Sequence, residues 1–159
     1  MSQHATREFS NAQHLQVLGA LISVTAGSDD TDGEYTVLDM LVPPRFENGL
    51  HTHAPSEVFH VIEGEARLHV DGVDQTLSPG MSGYVGSEVP HGFANETDEV
   101  CRVIAVMSPG GSEAFFVEAG VPADGRTLPE PQEVTDEQLQ ELFAIGEQYG
   151  FEFLGPLPA

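Results

Sequence analysis

His51-Thr52-His53-Ala54-Pro55-Ser56-Glu57 decides how this chain folds, read together with Val89-Pro90-His91-Gly92-Phe93-Ala94-Asn95. Alternate residues of a strand face the same way, so His51 and His53 can point into one cavity. Glu57 follows His53 from the start of the next strand, and His91 can arrive from a distant strand once the sheet curls. Imidazole nitrogen and carboxylate oxygen suit a borderline divalent ion such as Fe, Mn, Ni, Co, Cu or Zn. An isolated His-x-His is more often an ordinary surface or core pair. Here the spacing to Glu57, the turn at Gly64 and the Pro90-His91 strand start favour a metal site.

Working outward, apolar runs of strand length recur between turn residues. Strands are expected near 18–25, 35–42, 57–62, 66–70, 73–77, 83–85, 91–95 and 100–107. Gly64, Asp71-Gly72, Pro79-Gly80 and Thr97-Asp98 separate the later ones, and Asp71-Gly72 reads as a tight hairpin turn. Closely spaced short strands indicate a sandwich or small barrel. No helices alternate with them, which argues against a parallel α/β sheet. A further strand is expected over 112–118, carrying Phe115-Phe116-Val117, followed by a Pro/Gly-rich linker over 120–133. The period then changes. Thr135 and Gln138 form a capping box, and Leu139, Leu142, Phe143, Gly146 and Tyr149 follow at helical spacing up to Gly150. This stripe is expected to pack on the outside of the barrel or to make a dimer contact. The organisation expected is an arm (1–17), a barrel (18–119), a linker (120–133), and a helix with tail (134–159).

The chain of 159 residues suits one well-cored domain. Its 26 acidic residues face 5 arginines and no lysine, a formal charge of -21. That balance argues against nucleic acid or an anionic membrane as partner. The first residues lack a basic cluster followed by an apolar core, so a cytoplasmic protein is expected. Cys101 is the single cysteine. It excludes an intrachain disulfide or a thiolate-rich metal site and is expected to be an inert buried thiol.

These motifs resemble the cupin superfamily. The first family motif runs from His51-x-His53 through Glu57 to Gly64, and the second from Gly80 through Gly86 to His91 and Asn95. The chain has Gly86 where the family usually has proline, and Glu88 where it usually has glycine. Both departures fall in a turn, and Gly49 lies only two residues before His51. The resemblance implies an all-β cupin jelly-roll β-barrel, here with a C-terminal α-helix. It also implies a metal held by His51, His53, Glu57 and His91. The tail, from Phe115-Phe116-Val117 to Phe151-Glu152-Phe153, resembles single-domain proteins named as quercetin dioxygenase-like.

Phe59 and Val61 share the parity of Glu57, and Phe93 that of His91, so they can form an apolar substrate wall or simply pack the core. Met40 and Phe46, with Tyr35 and Leu38, are candidates for the cavity mouth. His60 has the opposite parity and is expected to point away. His69 has no evident partner, His4 and His14 fall in a flexible or exchanged arm, and Asn95 is expected to order a turn. The resemblance implies a metal-dependent dioxygenase acting with O2 on a small aromatic or enolisable compound such as a flavonol. In flavonol-cleaving cupins the glutamate matching Glu57 is also assigned as the base. The alternatives are a non-oxidative isomerase, cyclase or decarboxylase, and a non-catalytic metal- or small-molecule-binding cupin. The family implies a homodimer, paired through outer sheet faces or through an arm at 9–17.

The acidic surface suits a salt-rich, halophilic setting. Salt shortens the range of repulsion between like charges to about 3 Å at 1 M. Thermal scans are expected to show Tm rising from low to molar KCl, and a protein equally stable in both would contradict the halophilic reading.

Overall fold

Each strand with one apolar face needs a second sheet to cover it, and the alternation along this chain supplies two. The computed structural model describes residues 5–159. After a 3-10 turn at Phe9–Asn11 come β1 (Gln13–Val17), β2 (Ala20–Ala26), α1 (Ser28–Thr31), β3 (Thr36–Val42), β4 (Phe46–Glu47), β5 (Leu50–Thr52) and β6 (Ser56–Glu63). They are followed by β7 (Ala66–Val70), β8 (Val73–Leu77), β9 (Ser82–Val85), β10 (His91–Asn95) and β11 (Cys101–Ser108). The chain ends with α2 (Glu113–Ala119), β12 (Val121–Ala123), α3 (Asp136–Gln148) and β13 (Glu152–Gly155). One sheet runs β12-β1-β2-β3-β11-β6-β9 and the other β13-β5-β10-β7-β8, with β4 also on β10. Every pairing is antiparallel. The architecture is the expected jelly-roll with a C-terminal helix.

Strand β11 shows how the pattern builds the core. Cys101, Val103, Ala105 and Met107 are buried, while Arg102, Ile104 and Val106 face outward and are only half-covered. The inward set joins Leu38, Met40, Phe59, Val61, Leu68 and Phe93 in one apolar cluster. Burial pushes the Cys101 thiol up to about 11, with Glu65 adding to the effect, so it stays protonated and unreactive. The Asp71-Gly72 turn has both residues at positive φ, 49° and 81°, as a tight hairpin between twisted strands requires. No helix among the described residues is long and apolar enough to cross a membrane.

The structure differs from the sequence-based expectations at three places. The strand expected at 18–25 is the second half of a hairpin. Val17 pairs with Ala20 across Leu18-Gly19, whose φ angles are 46° and 96°. Leucine seldom adopts such a backbone, so the turn carries a weak sequence signal. Residues 13–17 of the expected arm are therefore sheet. His14 is buried there, with Nδ1 2.6 Å from Ser23 Oγ; His4 lies outside the described residues. The strand expected at 112–118 is helix α2. Its Glu113 carboxylate accepts hydrogen bonds from Ser28 N and Oγ, Thr36 Oγ1 and Gly111 N, which anchor the first turn to the barrel. Phe115 and its neighbour Phe116 both pack on the core, which adjacent residues of a strand, facing opposite ways, cannot easily do. Finally, the expected linker and tail each contain a strand. Strand β12 extends the first sheet and β13 the second.

Candidate metal centre

Antiparallel pairing sets His91 of β10 directly across from His51 of β5. His53 follows β5, and Glu57 lies on β6 in the opposite sheet. The four side chains therefore meet inside the barrel, between its sheets. All are buried; His91 is 0% exposed and His53 2%. The ring centroids of His51 and His91 are 4.4 Å apart, those of His53 and His91 4.6 Å. One ring nitrogen from each histidine lies within 4.8 Å of the others.

The orientation of these rings is fixed by short local hydrogen bonds. Nδ1 of His51 lies 3.0 Å from Gly49 O, Nδ1 of His53 2.8 Å from Pro55 O, and Nδ1 of His91 2.8 Å from Val89 O. A carbonyl only accepts, so each Nδ1 carries the proton and each Nε2 is the atom left to bind. His91 Nε2 is buried with no hydrogen-bond partner. Leaving a buried polar atom unpaired costs about 1–3 kcal/mol. A cation at the convergence point removes that cost, so the donor set fits a transition metal.

Glu57 Oε2 stands 3.1 Å from His53 Nε2 and 3.8 Å from His91 Nε2. Burial opposes charge on Glu57, but the hydrogen bond from His53 and the nearby His91 imidazole outweigh it and hold the carboxyl below its usual range. Burial likewise opposes charge on His53, and the Glu57 contact reverses this, raising the imidazole. The metal-free pair is thus a buried imidazolium–carboxylate contact. His51, desolvated first of all and then facing His91, is pushed down to about 4. It is neutral and ready to bind across the ordinary pH range.

Phe59, Val61 and Phe93 are core residues lining an enclosed void of about 10 Å³, at the limit for one water. Phe59 does reach the site's edge, 6.4 Å from the His91 ring centre. Met40 is buried in the same core. Phe46 lies 6.2 Å from Phe93 and lines a surface hollow with Arg45 and Glu96. The aromatic wall against the histidines comes mainly from elsewhere. Phe151 lies 5.3 Å from His53 and 4.6 Å from Phe115, and Phe153 lies 6.2 Å from His51. Sequence reasoning missed these residues as part of the site. Their signal was the alternation Phe151-x-Phe153 directly after the helix-stopping Gly150.

The other candidates lie away from the centre. His60 Nδ1 is 2.7 Å from Ser82 Oγ, and His69 Nδ1 is 2.7 Å from Asp74 Oδ1. Asn95 binds the carbonyls of Val42, Pro43 and Glu99 and accepts from Thr97, ordering the turn before β11.

The family model described as a cupin domain matches residues 38–107. Quercetin 2,3-dioxygenase of Bacillus subtilis is 29% identical over 125 residues, 77% of this chain and 37% of that protein. The HTH-type transcriptional regulator PuuR of Escherichia coli is 35% identical over 57 residues, 36% of this chain and 31% of that protein. The chain spans about a third of the length of these curated relatives. Among solved structures, an RmlC-like cupin from Shewanella frigidimarina superposes with a TM-score of 0.62 at 23% identity, covering 70% of this chain and 96% of that one. The double-sheet barrel and its superposition on a solved cupin show the cupin fold, and over residues 38–107, a little under half of the chain, the sequence is similar to the cupin domain family.

Proposed function

We propose that His51, His53, His91 and Glu57 hold a single divalent transition metal, and that the protein is a dioxygenase acting on a small aromatic or enolisable compound. A flavonol is the first candidate, and the reading includes a cytoplasmic location. The observation that carries it is the convergence of three tautomer-fixed imidazoles on one another, two of them beside the Glu57 carboxylate, within an aromatic enclosure. The likeness to the Bacillus dioxygenase supports the oxygen chemistry. When bound, the metal supplies Lewis-acid and redox chemistry. The chain supplies the rest. Its histidines hold their Nε2 atoms toward one point. Glu57, ionised and within reach of that point, can accept the hydroxyl proton of a substrate as well as serve as a ligand. Phe151, Phe153 and Phe115 exclude water from the reacting centre.

The second reading is a non-catalytic cupin that binds a metal or small molecule. The closed site and the likeness to a transcriptional regulator favour it. A non-oxidative isomerase, cyclase or decarboxylase uses the same donors, and turnover in the absence of O2 distinguishes it.

We also propose a homodimer through the outer face of the seven-stranded sheet. Val58 pairs there with Tyr84 and Val106. Tyr84 is 79% exposed, with Val58 and Ile62 also open to solvent.

Three outcomes are expected. Elemental analysis after purification without added metal finds one first-row ion per chain, bound more weakly as pH falls. Protons compete for His53, whose pKa is raised, so cobalt affinity measured by titration begins to decline above the ordinary imidazole range as pH falls, approaching about tenfold per pH unit. Affinity unchanged from pH 8 to pH 5, on the order of three decades of proton concentration, would oppose the ligand assignment. Oxygen uptake is expected with quercetin or a catechol, and Glu57→Gln should abolish it. Full turnover by that variant with its metal retained would remove the base role, and metal without oxygen uptake across the panel would favour the second reading. Sedimentation should give a dimer for the wild type and a monomer for Tyr84→Asp; a dimer that survives the substitution uses another face.

A further inference from the structure

The donors are sealed: His51 is 7% exposed, His53 2% and His91 0%. No ligand of organic size reaches them unless a wall moves. Most walls are barrel strands held on both sides, with β10 between β5 and β7, and β6 between β11 and β9. The remaining wall is the tail. Strand β13 is the outermost strand of its sheet, four residues long, and its register with β5 shifts between Phe153 and Gly155. Gly150 and Gly155 bracket it at φ +84° and +119°, backbone angles that glycine takes readily and that suit pivots. Phe151 fills the place beside His53, while Phe153 pairs with His51 and stacks on Phe143 at 4.4 Å. Leu157 is seated over Gly92, where an added Cβ would come within 2.6 Å of its Cδ2.

We propose that residues 151–157 form a strap that opens to admit ligand to the three histidines, with Phe151 as its seal. The identity of the ligand rests on the metal-centre reading above; the motion does not. The place that Phe151 leaves is bounded by His53, Phe115, Phe116 and Phe153. It has the size and apolar walls for one planar ring, so the admitted class is an aromatic compound carrying an oxygen donor. Phe151 thus holds the position of a substrate ring while the site is closed.

The test pins the strap to its neighbouring strand. Thr52 and Glu152 are direct cross-strand partners, so Thr52→Cys with Glu152→Cys places a reducible staple between β5 and β13. Two rates are measured: removal of bound cobalt by dipicolinate, and modification of His51 in metal-free protein by diethyl pyrocarbonate, located by peptide mass. The oxidised pair should slow both by roughly tenfold, reduction should restore them, and Phe151→Ala should speed both by a similar factor. Rates indifferent to the staple and to Phe151→Ala overturn the strap. A protein that binds no cobalt overturns the metal reading instead, and the modification rate still decides the strap. Should the cysteine pair fold poorly, Phe151→Ala alone carries the test, since an unchanged rate in that variant removes the seal.

Discussion

Three hydrogen bonds from imidazole Nδ1 to backbone carbonyls govern the functional part of this molecule. Each joins residues two apart in sequence, so the same turn that ends or starts a strand also sets the ring's tautomer. A histidine free to rotate could satisfy either nitrogen with water. Buried, and with Nδ1 already committed, these rings have one direction left in which to use a lone pair. The barrel's contribution is to make those directions meet. His51 and His91 are brought together by β5–β10 pairing, and Glu57 comes from the facing sheet. A shift of one residue in that register would turn His91 out of the cavity.

The electrostatics follow from the same burial. Desolvation, the largest influence on Glu57, pushes a carboxylate in this position toward its protonated form. Its contact with His53 reverses the balance. Two opposite charges kept out of water gain little net stability, and replacing such a pair by apolar residues is often neutral. A pair of this kind is therefore poorly explained as a folding device. It makes better sense as a site awaiting a cation, which displaces the His53 proton and leaves Glu57 its anionic neighbour.

How far the sequence could be read depended on how local each signal was. The His51, His53 and Glu57 spacing and the strand alternation of β6, β7, β10 and β11 are carried by neighbouring residues, and both barrel and histidine cluster were legible from them. The Asp71-Gly72 turn announced itself in the same way. Helix α2 did not, because Phe115-Phe116-Val117 favours a strand locally, and only a tertiary contact, Glu113 with Ser28 and Thr36, decides otherwise. The first hairpin was hidden by a leucine at positive φ. The Phe151 wall was hidden for a different reason: it touches the histidines from about a hundred residues away, and its alternation could have served any apolar surface.

The surface charge and the buried centre answer different needs. With 26 acidic residues against 5 basic ones, most of them outside the core, the chain attracts divalent cations of every kind. Magnesium and calcium prefer oxygen ligands and, for magnesium, retained water. Three converging imidazoles in a closed chamber offer them little, while they suit iron, nickel, copper, cobalt or zinc. Closure adds a second filter. Burial of Phe151 and Leu157 stabilises the shut tail by about 1.5–3 kcal/mol for each side chain, so an ion or substrate must find the site in a minor open population. Selectivity in this fold then comes from what the interior offers, three converging ring nitrogens of which that of His91 has no other partner, and the acidic exterior needs no discrimination of its own.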